Sequence, residues 1–227
     1  MVIYGPSRHI AFCKPGDKDW TLLDNTQYKR RMDSTLYYRD QFYLISYSGS
    51  LYIWDTNTQL HPPVLSEIIS QHAQLGKCSG TDVKYLVEIS GVLFIIIRYR
   101  GSKGVDRQKY ATLRFVMFRV CLDNTLELER VTSIDHHAVF VGLNSAFSVS
   151  ALEFPGCRGN CIYFTDDYFE MFCCRIIDGT GEGPQDFGVF SLADGTFEQY
   201  YPMESNMIFP PPVWVEPTLC HCTTTDE

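Results

Sequence analysis

One pattern recurs along the chain: a short run rich in Val, Ile, Leu, Tyr, Phe and Trp, a pair of turn residues, then another such run. Residues 41–46 and 51–54 flank Ser48-Gly49, and 85–89 and 93–97 flank Ser90-Gly91. Residues 113–121 and 126–131 flank Asp123-Asn124, and 189–192 and 197–201 flank Asp194-Gly195. β-Branched and aromatic side chains suit a pleated sheet, and Asn, Asp and Gly tolerate the positive φ of a two-residue hairpin. Punctuation this frequent leaves no room for long helices and predicts an antiparallel all-β fold.

The pattern also repeats at a longer period. Ser48-Gly49-Ser50-Leu51-Tyr52-Ile53 returns as Ser90-Gly91-Val92-Leu93-Phe94-Ile95, about 42 residues on, within the period of a four-stranded propeller blade. Tyr43-Leu44-Ile45 and Tyr85-Leu86-Val87 keep the same offset. Asp123-Asn124-Thr125-Leu126-Glu127 is echoed by Asp194-Gly195-Thr196-Phe197-Glu198 at roughly 71 residues, one blade plus insertions. Repetition of this kind favours a propeller over a sandwich.

Other segments fit around these hairpins. Residues 10–13 and 20–23 read as strands joined by Lys14-Pro15-Gly16-Asp17, with Pro preset for the turn. Residues 36–38 read as a strand and 24–34 as a polar loop. Residues 64–75 carry Leu65, Ile68, Ile69 and Leu75 between Pro62 and Gly76, the spacing of a short helix of about three turns. Residues 138–141, 147–151 and 161–165 read as strands, the last two flanking a corner of Pro155, Gly156 and Gly159. Strands over 168–177 and 213–215 and a glycine-rich loop over 178–184 complete the reading. It gives a propeller domain over 1–217 and a disordered tail over 218–227.

Composition narrows the function. Hydrophobic residues are 45%, enough for a real core, and the formal net charge of -8 opposes general nucleic-acid binding. The one basic cluster, Lys29-Arg30-Arg31, sits beside Asp33 and reads as a solvated loop. The longest apolar run, 92–97, is stopped by Arg98 and Arg100, far short of a membrane span of about 18 residues. Nine cysteines with no secretory pattern at the N-terminus predict reduced thiols in a cytoplasmic or nuclear setting.

No constellation points to catalysis. Cys157 and Cys161, Cys173 and Cys174, and Cys220-His221-Cys222 could supply zinc ligands, but Cys161 opens an apolar strand, where Cys behaves as a small hydrophobe. No bound metal, cofactor or structural disulfide is expected. His136 and His137, read as strand neighbours, would point to opposite faces and could not serve one site. Asp166-Asp167 reads as a solvated strand end, and the glycines of 178–184 lack the Lys-Ser/Thr of a phosphate loop.

The segment Phe154-Pro155-Gly156-Cys157-Arg158-Gly159-Asn160-Cys161-Ile162-Tyr163-Phe164-Thr165-Asp166-Asp167 resembles the "FPGC-x-GNCIYFTDD" signature of plant proteins built on domain of unknown function 295. The segments "IAFCKPGDKDW", "YLVEISGVLFIIIR", "GVFSLADGTFEQYYP" and "PPPVWVEP" support it in order. The resemblance implies a KIB-type β-propeller of kelch-like blades. In that family an F-box docks onto the Skp-type adapter of a ubiquitin ligase, and the propeller presents a target. These 227 residues hold no F-box signature, so an adapter contact is not expected, and the propeller is expected to be incomplete, with about three to four blades.

The expected function is therefore a non-enzymatic protein-interaction module, the target-binding part of such a receptor, with no nucleic-acid or membrane partner. Arg158, Asp166, Asp167 and Tyr168 are the candidate partner-binding residues, because turns at strand ends expose side chains on a propeller rim. The alternative is a propeller enzyme or carbohydrate-binding protein using Asp166, Asp167, Trp20 or Trp214 in a central pocket. An incomplete propeller is further expected to leave an unpaired edge and an open apolar face on its first and last sheets.

Overall fold

The computed structural model describes residues 1–5, 8–22, 31–54, 65–70, 75, 81–102, 110–122, 126–168, 186–198 and 213–216. They form sixteen strands and, among the described residues, no helix. Four sheets follow one another along the chain. The first holds β1 (Val2–Tyr4), β2 (His9–Phe12) and β3 (Thr21–Leu22). The second holds β4 (Met32–Tyr38), β5 (Gln41–Ser46), β6 (Leu51–Trp54) and β7 (Leu65–Ile69). The third holds β8 (Val83–Ile89), β9 (Val92–Ser102), β10 (Tyr110–Cys121) and β11 (Glu127–Val131). The fourth holds β12 (His137–Val141), β13 (Phe147–Ser150), β14 (Cys161–Phe164), β15 (Gly188–Ser191) and β16 (Phe197–Glu198), in the spatial order β13-β12-β14-β15-β16.

The tight turns follow from backbone chemistry. Ile89 faces Val92 across Ser90 (φ 49°) and Gly91 (φ 77°), and Tyr38 faces Gln41 across Arg39 (φ 47°) and Asp40 (φ 61°). Positive φ at both central residues twists the turn in the sense that matches the strands.

Side-chain alternation then decides which sheets touch. On β8 and β9, Tyr85, Val87, Phe94 and Ile96 pack with Val139, Ile162, Phe164 and Phe190 of the fourth sheet. Their neighbours Leu86, Leu93, Ile95 and Ile97 pack with Tyr43, Ile45 and Leu51 of the second. The second sheet's opposite face, with Met32, Leu44, Tyr52 and Trp54, covers Ile10 and Phe12 of the first. Ile95, Ile96 and Ile97 are all fully buried, as a central blade with a neighbour on each face requires. Three consecutive interfaces join four blades of an antiparallel β-propeller, and only the β12–β14 pair is parallel among the described pairings.

Four expectations are corrected. Residues 65–69 form β7 on the edge of β6, because Leu65 and Ile69 are buried while Ser66 and Glu67 are exposed, a spacing of four that helix and strand share. Residues 32–34 belong to β4 rather than to a loop. Residues 213–216 form no strand; Trp214 instead donates its indole N–H to the Val141 carbonyl at 3.0 Å and meets Phe140 edge-on at 5.0 Å. That contact, with Phe154 and Cys157, covers the outer face of the fourth sheet, which is therefore not open. On the first sheet Val2, Tyr4 and Leu22 do stay exposed. The readings over 169–177, 178–184, 123–125 and 218–227 lie outside the described residues.

The corner motif also differs from a hairpin. β13 and β14 do not pair; β12 lies between them, so residues 151–160 carry the chain from one side of β12 to the other. Asn160 fixes this crossing: its amide donates to the His137 carbonyl (2.7 Å), its side chain accepts from the Ile134 amide (3.0 Å), and its carbonyl accepts from Leu192 (3.0 Å). Gly159 lets the two backbones touch, since a Cβ there would lie 2.8 Å from the His136 Cα, whereas one on Gly156 would meet nothing within 4 Å. Gly159→Ala should destabilise the protein by roughly 1–3 kcal/mol. That lowers the melting temperature by about 2–4 °C for each kcal/mol. Gly156→Ala should leave it nearly unchanged, and thermal unfolding of the pair checks the difference.

Candidate functional site

β1, β4, β8 and β13 are the innermost strands of their sheets and lie side by side, with β8 between β4 and β13. Where β4 and β8 begin, they border a cavity of about 560 Å³. β1, the 142–145 loop and the Asp167-Tyr168 segment after β14 complete its wall. A second cavity of about 530 Å³ lies by Leu36, Glu88 and Ser90 and shares Asn144 and Ser145 with the first.

Asp167, Tyr85, Arg100 and Tyr168 on the first cavity's wall are backed by a network of buried charges. Arg98 continues the face of Phe94 and Ile96 toward the fourth sheet, and its side chain is fully buried. Its Nε donates to Thr112 Oγ1 at 2.7 Å. One terminal nitrogen donates to the Thr165 carbonyl (2.7 Å) and Asp167 (2.9 Å), the other to the Asp186 carbonyl and carboxylate (3.0 Å each). The guanidinium also lies over the Phe164 ring at 4.8 Å, a favourable cation–π contact. Asp167 accepts further bonds from Tyr85 (2.5 Å) and from Arg100, whose guanidinium lies 5.2 Å from the centre of the Tyr168 ring. Asp166 accepts from Tyr110 (2.5 Å) and from the Asp186 and Tyr168 amides.

A second knot ties the other interfaces. Asp33 on β4 accepts from the Lys84 amide (3.2 Å) and lies 3.5 Å from the buried Lys84 ammonium, which donates to the Tyr47 carbonyl at 2.6 Å. Arg8, at the entry to β2, donates to the Asp33 carbonyl at 3.2 Å. Burial pushes the Asp33 carboxyl above its ordinary value of 3.8, and Lys84 and Arg8 offset this only in part. For Asp167 burial also acts upward, but Arg100 and Arg98, with the Tyr85 hydrogen bond, hold it below 3.8. Burial, and then the Asp167 charge, push the Tyr85 hydroxyl up.

The residues singled out from sequence are thus divided. Asp166 and Asp167 are buried, not a solvated strand end; their partners sit on facing strands that a strand-end reading cannot see. Tyr168 is half-buried on the cavity wall. Arg158 is elsewhere, half exposed and paired with Glu198 at 2.7 Å. Trp20 is exposed beside β3 and Trp214 rests on the fourth sheet, so neither lines the cavity. Cys161 is a core residue. The rings of His136 and His137 lie 4.3 Å apart, because Asp135 (φ 52°) puts His136 in a turn where strand alternation does not hold. His137 Nε2 lies 2.8 Å from Ser90 Oγ. Among the described residues no cluster of His, Cys, Asp or Glu is arranged to hold a metal ion. The decisive residues missed were Arg98, Arg100, Lys84, Asp33 and Asp186. Parity was their signal: Arg98 and Arg100 extend the inward face of β9 instead of ending it.

A family model described as KIB1-4 beta-propeller matches residues 1–191. The chain belongs to the KIB1-4 beta-propeller family. An Arabidopsis thaliana F-box protein is 27% identical over 166 residues, 72% of this chain and 48% of the relative. A putative F-box protein of the same plant is 30% identical over 129 residues, 54% of this chain and 35% of the relative. Another is 25% identical over 202 residues, 88% of this chain and 50% of the relative. The chain thus spans about half the length of the curated relatives it matches, or less. No solved structure matches. A KIB1-4 propeller related to F-box proteins is, in general terms, a protein-interaction module.

Breaking a buried ion pair leaves an uncompensated charge, so Arg98→Met should cost about 3–5 kcal/mol in chemical denaturation. Because the folded Asp167 carboxyl titrates below 3.8, its contribution is complete above that pH and is lost as pH falls through the folded value. Asp167→Asn should accordingly be less stable at neutral pH and show a shallower loss of stability below about pH 4, measurable by denaturation across pH.

Proposed function

We propose that this chain is the target-binding propeller of an F-box-type ubiquitin-ligase receptor and acts without catalysis. The observation that carries the reading is the state of the cavity's acids. A two-carboxylate glycosidase site needs a free pair of acids, whereas Asp167 is held by two arginines and a tyrosine, and Asp33 by Lys84 and Arg8. The wall also sets guanidinium beside aromatic ring: Arg31 over Tyr47 at 5.5 Å and the buried Arg100 over Tyr168 at 5.2 Å. Arginine and tyrosine are enriched where proteins bind proteins. The alternative, an enzyme or carbohydrate-binding site, is disfavoured by the positions of Trp20 and Trp214 away from this wall. Adapter docking falls, in this reading, to an F-box outside the matched propeller, as the names of the relatives suggest.

Partner contact is assigned to Tyr168 at the wall, with Asp167 fixing Arg100 beside it and Asp166 holding the Tyr168 backbone in place. Arg158 lies apart from them and serves as a comparison. Affinity capture from plant extract with the wild type should recover a defined set of proteins. Tyr168→Ala combined with Arg31→Ala should lose that set while the melting temperature changes little, and Arg158→Ala should retain it. If the double variant keeps every partner, the cavity is not the contact surface. Turnover of a glycoside or ester substrate panel by the pure chain would instead favour the alternative.

A further inference from the structure

Only one side chain of residues 213–216 is seated on the fold. Trp214 is half-buried, while Val213 and Val215 are 54% and 80% exposed and Glu216 is exposed as well. The stretch belongs to no strand, and a side chain reads its backbone instead. Asn144 accepts from the Trp214 amide at 3.3 Å and donates to the Trp214 carbonyl at 2.8 Å. A carboxamide thereby engages both backbone groups of one residue, as a facing residue does in a hydrogen-bonded strand pair. The seat is a row of three rings. Phe147, Phe140 and Tyr163 are cross-strand neighbours on β13, β12 and β14, stacked at 5.1 Å and 4.8 Å with planes 11° and 16° apart. The Trp214 ring stands edge-on to Phe140 (5.0 Å, 72°) and to Tyr163 (6.3 Å, 89°), so a positive ring edge meets negative faces. Its indole N–H is used too, on the Val141 carbonyl at 3.0 Å.

One anchored aromatic between exposed neighbours, with its backbone paired on both sides, is how a folded domain holds a short peptide. The three interfaces between sheets are, by contrast, layers of many apolar side chains. We propose that the outer face of the fourth sheet is a binding groove for an extended, tryptophan-bearing peptide, which residues 213–216 occupy in cis and which a protein partner's segment of the same kind fills in their place. Every contact that selects the occupant is made by Trp214 or its own backbone, so the flanking residues are free to differ. A tethered occupant competes at an effective concentration of roughly millimolar, and this sets the affinity that a partner's segment must exceed. The groove is separate from the first cavity, whose wall includes neither Trp214 nor Phe140 and Tyr163, and it stands or falls apart from any contact made there.

The test uses the whole chain carrying Trp214→Ala, which empties the seat, and a fluorescein-labelled peptide of residues 212–217, Pro-Val-Trp-Val-Glu-Pro, read by anisotropy. The expected result is saturable binding to Trp214→Ala. Binding should be about tenfold or more weaker to the wild type, whose seat is filled, and to Trp214→Ala combined with Asn144→Ala. The same peptide with Ala in place of Trp should not bind. No binding to Trp214→Ala, or equal binding to it and to the wild type, overturns the proposal, as does equal binding of the two peptides. Should Trp214→Ala not fold, the wild type labelled with 5-fluorotryptophan decides. The fluorine signal that Trp214→Phe removes should shift when the unlabelled peptide is added at about 10 mM, above the effective concentration of the tethered segment, and should not shift with the Ala peptide. A signal that stays in place makes Trp214 a fixed part of the fourth sheet and ends the proposal.

Discussion

A guanidinium with no access to solvent can exist only where the protein replaces all of its hydration, and Arg98 imposes that demand on the whole fold. It draws ligands from β10 (Thr112), the end of β14 (Thr165 and Asp167) and the approach to β15 (Asp186). Those groups come together only when the third and fourth sheets stack in one register. The apolar side chains below it supply most of the attraction, but they are interchangeable in a way that a five-donor fork is not. Hydrophobic burial presses these blades together, and the ion network selects which arrangement of pressed blades is the native one.

The same division of labour holds along the row of sheets. Alternation sends odd-numbered β8 residues toward the fourth sheet and even-numbered ones toward the second, so Tyr85 joins the Arg98 network while Lys84 joins Asp33. Arg8 brings the first sheet to the same residue, donating to the Asp33 carbonyl and lying 3.9 Å from its carboxylate. Each interface is thus an apolar layer ending in charge at the cavity, and the cavity wall is the exposed edge of what holds the blades in place. That makes the wall rigid: its donors cannot move without opening an interface.

The sequence carried the strands well and the wall poorly. Runs such as 41–46, 51–54 and 85–89 coincide with β5, β6 and most of β8, because period-two alternation and tight turns are local properties. β7 was ambiguous because a five-residue stretch with apolar ends fits either period. The crossing between β13 and β14 was invisible because which strand lies next to β12 depends on close backbone approach at Gly159 and on the three Asn160 bonds, none of which leaves a spacing pattern. Arg98 and Arg100 were misread for a deeper reason. A charge at the end of an apolar run ordinarily marks solvent, and the carboxylates that reverse that rule for Arg98, Asp167 and Asp186, lie 69 and 88 positions further on.

The two carboxylates that tie the blades are set in opposite senses, and this makes the interfaces unequal. Asp167 titrates below its ordinary value when folded, so its ionised form favours the native state and the third-to-fourth interface gains from neutral pH. Asp33 titrates above its ordinary value, so the folded state holds its proton more tightly than the unfolded chain does. Ionising Asp33 as pH rises through that value removes stability, so this carboxylate does not add to the joint among the first, second and third sheets as Asp167 adds to the next one. The cause is visible in the partners. Asp167 receives two arginines and a tyrosine, while Asp33 faces one ammonium at 3.5 Å and an arginine at 3.9 Å.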